Sequence, residues 1–184
     1  EDNITRLGPE NIAALIAEPV NGSSGGAITP PQGYWTGVQS ILRRHGILLI
    51  MDEVMTGFGR TGTTFGSQLY GAEPDLLVSG KGLAGGYAAI AGVFGRQDIA
   101  NAISEAGLNV MFHTFGALPQ SCAAATAVLQ ILREENLVQR ADVVGQKTLQ
   151  RLQSSFGQHP NVAEIRGAGL LIGIEVVKDR NTLE

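Results

Sequence analysis

Residues 48–62 read Leu-Leu-Ile-Met-Asp-Glu-Val-Met-Thr-Gly-Phe-Gly-Arg-Thr-Gly, an apolar run that leads into two acids and a glycine-rich loop. An apolar run of this length that ends in charge is typical of a buried strand in a parallel sheet. Ligands of open α/β sheets bind outside the carboxyl ends of such strands. Asp52 and Glu53 therefore stand where a functional site is expected, although a strand-end salt bridge is an equally ordinary role for them.

The composition of the 184-residue chain limits its classes of function. Its net charge is −4 and no basic run stands out, which argues against binding to nucleic acid or a membrane surface. No apolar run approaches the ~20 residues of a transmembrane helix, and residues 1–3 lack the pattern of a signal peptide. The single cysteine, Cys122, excludes an internal disulfide and suits a reducing compartment, so a cytoplasmic location is expected. Glycine is abundant, at 25 residues, and clusters after predicted strands, which suggests loops that approach a ligand closely.

The pattern along the chain predicts an α/β fold with two domains. Strands are predicted over 12–17, 47–51, 74–79 and 89–94, and helices over about 31–45, 99–106, 119–135 and 138–156. The first helix links two strands as a parallel βαβ unit, and Asp98 is expected to cap the helix at 99. Two further strands over 162–177 follow consecutive helices, and this change of pattern predicts a large domain over 1–135 and a small one over 136–184.

Lys81 is the second chemical signal. It lies between Gly80 and Gly82, two residues after the end of a predicted strand and 29 residues beyond Asp52. A P-loop is excluded because glycine, rather than serine or threonine, follows the lysine. The remaining chemical use of such a lysine is as a nucleophile that forms a Schiff base with a carbonyl. Pyridoxal 5′-phosphate (PLP) needs such a lysine and a carboxylate that favours its protonated ring nitrogen, and Lys81 and Asp52 fit these two roles.

The chain resembles the class III aminotransferases, a branch of the fold-type I PLP enzymes. The resemblance is carried by Glu18-Pro19-Val20, Asp52-Glu53-Val54 with Thr56-Gly57-Phe58-Gly59-Arg60, Gly80-Lys81-Gly82, His113-Thr114-Phe115-Gly116 with Pro119, and Arg166-Gly167-Ala168-Gly169-Leu170. These motifs have the order and spacing of the family. The resemblance implies the C-terminal part of the mainly parallel sheet of a PLP-binding large domain, with flanking helices, followed by the start of a small α+β domain.

The resemblance implies roles for five residues. Lys81 would hold PLP as a Schiff base and move the proton between the substrate Cα and C4′ of the cofactor. Asp52 would pair with the pyridine nitrogen, and Val54 would lie against one face of the ring. Thr114 would reach the phosphate in the partner subunit's site of a homodimer, and Glu18 would line the same pocket. Ordinary roles also remain open for them: core packing, turn formation or a strand-end acid.

The function implied by the resemblance is transfer of an amino group from an amino acid or ω-amine to an oxo acid similar to pyruvate or glyoxylate. Met55 stands where many family members have a glutamine that bonds the ring hydroxyl, which methionine cannot do. Ser23 stands where the ornithine and γ-aminobutyrate branches have a glutamate. These two departures favour an ω-amine or alanine–glyoxylate-like branch.

Two alternatives stay open at this point. Another fold-type I enzyme, such as an aminomutase, epimerase or decarboxylase, would need Lys81 and Asp52 in the same roles. An inactive segment that serves as an interaction module would need neither. Family members are also longer, and their glycine-serine phosphate loop and carboxylate-binding arginine have no counterpart here. We therefore expect residues 1–184 alone to bind PLP weakly and not to turn over.

Overall fold

The structure is a computed structural model that describes residues 1–108 and 113–183. Its helices are α1 (Asp2–Leu7), α2 (Tyr34–Arg44), α3 (Gly66–Leu69), α4 (Gln97–Glu105), α5 (Pro119–Glu134) and α6 (Leu137–Phe156). Its strands are β1 (Ala14–Ala17), β2 (Leu48–Asp52), β3 (Leu76–Ser79), β4 (Gly92–Gly95), β5 (Val162–Ala168) and β6 (Leu171–Val176). Short 3₁₀ turns cover Pro9–Asn11 and Lys81–Leu83.

The first four strands form one sheet in the order β1-β2-β3-β4. β1, β2 and β3 run parallel, so the predicted parallel unit of β1, α2 and β2 is confirmed. β4 runs antiparallel to β3, an orientation that the sequence pattern did not predict. The three parallel strands end at the same edge of the sheet, and that edge carries the predicted functional residues Glu18, Asp52 and Lys81.

The main core lies between α2 and the sheet. Leu49 and Met51 of β2 form one buried cluster with Trp35 and Leu42 of α2. Burial of each such side chain contributes about 1.5–3 kcal/mol to folding. The indole Nε1 of Trp35 also donates a hydrogen bond to the Pro19 carbonyl at 2.9 Å. This bond fixes α2 against the chain that leaves β1.

Two helix starts differ from the sequence prediction. α2 begins at Tyr34 rather than near residue 31, because Gly33 adopts a φ of +82° and turns the chain into the helix at that point. Asp98 does not cap α4, which begins one residue earlier, after Arg96. The Asp98 carboxylate instead accepts a hydrogen bond from Nη2 of Arg96 at 2.6 Å, and this contact holds the pKa of the Asp98 carboxyl below its usual value.

β5 and β6 form a separate antiparallel hairpin that packs on α6. The closest approach is at Gly145 of α6, where an added Cβ would lie 2.0 Å from the Gly169 carbonyl oxygen. A Cβ added at Gly169 would in turn lie 2.6 Å from the Gly62 nitrogen, and the Leu170 N–H donates to the Arg60 carbonyl at 2.8 Å. The hairpin turn is therefore held between α6 and the glycine loop that follows β2.

The domain boundary predicted at residues 135–136 falls between α5 and α6. α5 packs on the Lys81–Leu83 turn, and α6 packs on β5. Because the two helices also pack on each other, they do not separate into independent units at this point. The boundary stays a prediction.

Candidate active site

Four of the five predicted site residues follow neighbouring parallel strands at one edge of the sheet. Glu18 comes directly after β1, and Lys81 lies two residues after the end of β3. Asp52 is the last residue of β2, and Val54 follows two positions later. Because Asp52 is paired with Val78 in the β2–β3 register, Asp52 and the lysine stand at adjacent strand ends.

Lys81 combines a strained backbone with an exposed side chain. Its φ is +37°, in the range that residues with a Cβ rarely adopt. The 3₁₀ turn that it begins is fixed by packing, since Leu83 and Ala84 are buried against Ala125 of α5. Residues in such conformations cluster at functional sites, where the surrounding structure over-determines them. The turn holds the lysine in this conformation at the carboxyl edge of the sheet.

Asp52 has one carboxylate oxygen engaged and one available. Its Oδ1 accepts the Val54 N–H at 3.0 Å, which orients the carboxylate. Among the residues that the structure describes, no donor is bonded to Oδ2, and the side chain is half-buried. Val54 itself lies beside the lysine loop, because a Cβ added at Gly80 would be 3.7 Å from Val54 Cγ1. Asp52 can therefore accept a further hydrogen bond at the edge where Val54 and the lysine loop meet.

A cavity of about 460 Å³ opens beside Lys81. Its walls come from the chain after β2, the lysine loop, α5, α6 and the β5–β6 hairpin, and include Val54, Met55, Arg60, Lys81, Leu171 and Ile172. This volume is in the range of small-molecule sites, about 300–1,000 Å³. Asp52, Glu18 and Thr114 do not line it. A second cavity of about 450 Å³, between Phe58 and the α5–α6 connection, includes none of the five predicted residues.

Glu18 shapes the chain over residues 21–28, which we name the β1 loop. Its Oε2 accepts hydrogen bonds from Asn21 Nδ2 at 3.3 Å and from the Gly22 N–H at 2.9 Å. A Cβ added at Gly22 would lie 2.6 Å from both Glu18 Oε1 and Met55 Sδ. The β1 loop therefore lies against the Met55 wall of the cavity, and the carboxylate of Glu18 holds the loop there.

Glu53 has a role that the sequence pattern did not assign. Its side chain is fully buried and accepts hydrogen bonds from the N–H groups of Gly66 and Ser67, both at 2.8 Å, and from the Thr56 hydroxyl. These donors belong to the start of α3 and to the loop after β2. Glu53 thus fixes the loop over residues 54–65, from which Val54 enters the cavity wall. The signal in the sequence was a second acid directly after a buried strand. A carboxylate buried at such a position needs hydrogen-bond partners within the protein.

Thr114 is not brought to the other four residues within the described parts of the chain. It is exposed, in a turn ahead of α5 that the Gly116 N–H closes on the His113 carbonyl at 2.9 Å. The predicted role of Thr114 lies in the site of a partner subunit. That role stays a prediction.

Residues 1–108 and 113–183 contain neither a candidate membrane span nor a candidate metal-binding cluster. None of the helices there combines the length and the apolarity that a bilayer crossing requires. In the same residues, no group of three or more histidine, cysteine, aspartate or glutamate side chains is placed to hold a metal ion.

The fold and the strand-end lysine define a class of protein, and comparison with known families identifies it. The model of the family described as "Aminotransferase class-III" matches residues 2–184, and the chain belongs to that family. The predicted α/β fold of the fold-type I PLP transferases is confirmed by solved structures that superpose on the chain over its full length.

Two solved structures and one curated relative are representative. A thermostable (S)-enantioselective omega-transaminase from Thermomicrobium roseum has a TM-score of 0.95 at 44% identity, with 100% of this chain and 41% of that chain covered. An amine transaminase from an uncultivated Pseudomonas species, in its PLP-bound form, has a TM-score of 0.95 at 42% identity, with 100% and 42% covered. The putrescine–pyruvate aminotransferase of Pseudomonas aeruginosa is 41% identical over 184 residues, which are 100% of this chain and 40% of that protein. The chain thus spans about 40% of the length of the relatives that it matches.

Proposed function

We propose that the full-length protein is a PLP-dependent aminotransferase that moves an amino group from an amino acid or ω-amine to an oxo acid of the pyruvate or glyoxylate type. One observation carries the proposal. In a chain of the class III aminotransferase family, Lys81 is exposed at a cavity, and Asp52 ends the neighbouring strand with an oxygen available. This pair supplies the amine and the carboxylate that PLP requires.

The residues at the sheet edge fit PLP chemically. Lys81 offers the exposed amine that holds the cofactor covalently, and Asp52 Oδ2 can accept a hydrogen bond from a protonated ring nitrogen. Val54 contributes an apolar wall, suited to contact with an aromatic ring. When bound, PLP supplies the electron sink for chemistry at the substrate Cα.

Lys81 and Asp52 have different roles in the proposed reaction. With PLP bound, the Lys81 amine would take the proton from the substrate Cα as a general base and return it as a general acid. The Asp52 carboxylate would hold the pyridinium nitrogen of PLP and favour its protonated form, because a neighbouring negative charge favours the charged form. The Val54 N–H bond at 3.0 Å keeps that carboxylate in one orientation throughout.

The substrate class is supported by two relatives and by two residues of the cavity region. One relative is named a putrescine–pyruvate aminotransferase and another an omega-transaminase, which favours an ω-amine donor and pyruvate acceptor here. Met55 lines the cavity and is apolar. Ser23 lies on the β1 loop in place of the glutamate expected for ornithine-type donors.

The assembly, location and domain division belong to the same proposal. A homodimer in which Thr114 serves the partner's site is supported by the exposure of its turn, where the neighbouring Phe115 is 79% exposed. A cytoplasmic location is supported by the single cysteine. Residues 1–135 are assigned to the PLP-binding large domain and residues 136–184 to the small one. Glu18 is assigned to the pocket region, where it supports the cavity wall by holding the β1 loop.

Borohydride reduction of the full-length protein tests the assignment of Lys81. Reduction fixes PLP on its lysine as a stable secondary amine, and mass spectrometry of the digest is expected to find the added mass on the Lys81 peptide. Lys81→Ala is expected to lose the label and at least a thousandfold in turnover, on the order of the loss seen when a residue that acts directly in the chemistry is removed. Lys147→Ala, on the exposed face of α6, is the matched control and should keep both.

Two results would contradict the proposal. The first is a label on Lys147 or Lys178 instead of Lys81. The second is turnover without an oxo-acid acceptor, since an aminotransferase needs that acceptor to complete its cycle and an aminomutase, epimerase or decarboxylase does not.

A further inference from the structure

Arg166 joins the β5–β6 hairpin to the β1 loop. Its Nε donates to the Gly26 carbonyl at 3.1 Å, and its Nη2 donates to the Gly25 carbonyl at 3.0 Å. These contacts span about 140 residues of sequence, and the Arg166 side chain is only 12% exposed. One planar guanidinium thus binds two consecutive carbonyls of a loop that belongs to the other sheet.

The same guanidinium lies between two acids. Glu164 and Glu175 face each other across β5 and β6, and both accept hydrogen bonds from Arg166 Nη1. Like charges directly opposite each other destabilise a hairpin, so Arg166 neutralises an arrangement that would otherwise be unfavourable. The hydrogen bond to Glu175, and then that to Glu164, raises the pKa of Arg166. The side chain stays charged, and its orientation is fixed from the hairpin side.

The β1 loop has a backbone that requires support from outside. Gly26 and Ala27 adopt φ values of +69° and +60°, and Ala27 is buried, although a residue with a Cβ is strained in that region. The Asn21 N–H closes the loop on the Ile28 carbonyl at 3.0 Å. The hairpin backbone also approaches closely, since a Cβ added at Gly173 would be 2.1 Å from the Gly26 carbonyl oxygen.

The other end of the β1 loop reaches the cavity beside Lys81. Gly22 is wedged between Glu18 and Met55, and Met55 is part of the cavity wall. A shift of the loop at Gly25 and Gly26 therefore changes the space available at the Met55 wall.

We infer that Arg166 is a positioning residue, which holds the β1 loop against Met55 and thereby sets the shape of the donor-binding cavity. This inference rests on the proposed function, because it assigns the cavity beside Lys81 to the amine donor. Arg166 acts through the loop and does not touch the reacting atoms.

Steady-state kinetics of the full-length protein with an ω-amine donor and pyruvate test the inference. Arg166→Met is expected to raise KM for the donor about tenfold, as loss of charge-assisted hydrogen bonds to two carbonyls permits, while kcat changes by less than about threefold. Arg166→Lys should recover part of the loss, since one ammonium can reach one carbonyl but not both in the same geometry. Gly173→Ala disturbs the same contact without changing charge and should raise KM in the same way.

Two further variants separate positioning from stability of the hairpin. The triple variant Arg166→Met, Glu164→Gln, Glu175→Gln relieves the repulsion between the acids but does not restore the contact with the β1 loop. Its KM for the donor should therefore stay raised. Arg180→Met removes an arginine that donates to the Gly157 carbonyl at 2.6 Å, away from the β1 loop, and should leave KM unchanged.

Hydrogen exchange gives a readout that does not depend on activity. Amides of residues 21–28 should exchange at least about tenfold faster in Arg166→Met, while those of α2 stay protected. Unchanged exchange in the loop, an unchanged KM, or a KM restored in the triple variant would each overturn the inference. If the Lys81 label is absent from the unsubstituted protein, the proposed function fails. Hydrogen exchange of the β1 loop amides then still tests whether Arg166 holds the loop. The assignment of the cavity to an amine donor is withdrawn in that case.

Discussion

Two consecutive acids at the end of β2 have opposite surroundings. Asp52 is half-buried with one oxygen available, whereas Glu53 is fully buried with both oxygens bonded. Successive side chains of an extended chain point to opposite sides, so one acid turns towards the open edge and the other into the protein. The first acid is therefore open to the ligand contact proposed for it, and the second stabilises the fold.

Replacement of Glu53 by glutamine is expected to destabilise the protein strongly. The amide NH₂ of glutamine would face one of the N–H donors of Gly66 and Ser67, which leaves a buried donor unpaired at a cost of about 1–3 kcal/mol. Thermal unfolding of Glu53→Gln measures the effect as a lowered Tm. Gln68→Ala removes an exposed acceptor of the Phe65 N–H from the same turn and should change Tm much less. Equal Tm values for the two variants would show that the Glu53 contacts do not stabilise the loop.

Single residues differ in how far the sequence could reveal them. The placement of Asp52 and Lys81 at one edge of the sheet could be predicted, because each charged residue lies at or just after the end of an apolar run and parallel strands end at the same edge. The hydrogen-bond partners of Glu18 and Glu53 could not be derived from the sequence, because most of them are backbone N–H groups. A backbone donor has no signature in the sequence. The contacts of Arg166 could not be predicted for a similar reason, since its partners are two backbone carbonyls in a distant loop.

At the scale of elements, the glycines after β2 face a helix. A Cβ at Gly59 would lie 3.2 Å from Val138 Cγ2, and one at Gly62 would lie 2.8 Å from Asp142 Cβ, both on α6. Glycines in such loops suggested close approach to a ligand, but at these two positions the close approach is to another element. A run of glycines predicts a close approach of the backbone to another group, but it does not identify that group as a ligand or as another part of the protein. The antiparallel direction of β4 was likewise invisible, because strand direction depends on the connection and not on the apolar run.

Two helical glycines should respond to alanine in opposite directions. Gly145 of α6 has no room, since the new Cβ would meet the Gly169 backbone at 2.0 Å, so Gly145→Ala should cost about 1–3 kcal/mol or more through overpacking. Gly37 of α2 has open space around its Cβ position, so Gly37→Ala should stabilise by about 0.4–1 kcal/mol. Differential scanning calorimetry of the full-length protein compares the two Tm shifts. A Tm that is not lowered in Gly145→Ala would contradict the close contact between α6 and the hairpin turn, and a lowered Tm in Gly37→Ala would contradict the open space at Gly37.

At the scale of the whole molecule, the outer strands of the four-stranded sheet carry exposed apolar side chains. Ile16 of β1 is 59% exposed, and Val93 and Phe94 of β4 are 65% and 51% exposed. Both strands lie at the edges of the sheet order. Exposed apolar edge strands are sites of association with other chains.

Residues 1–184 expressed alone are therefore expected to self-associate. They are also expected to show no transaminase turnover, because the family's phosphate loop and carboxylate-binding arginine have no counterpart in them. Size-exclusion chromatography with light scattering measures the first property, and pyruvate-dependent alanine formation measures the second. Phe94→Lys is expected to reduce the self-association, because a charged edge strand resists pairing with another strand. A monomeric yellow protein with turnover would refute both expectations.

The left-handed backbone at Lys81 implies a trade-off between stability and activity. A side chain with a Cβ held at a φ of +37° costs on the order of 1–3 kcal/mol, and glycine would not incur that cost. Lys81→Gly should accordingly lack turnover yet melt above Lys81→Ala, which retains the strain without the amine. The strained backbone thus lies beneath the side chain to which the proposed chemistry is assigned, and selection for stability alone would favour replacing that residue.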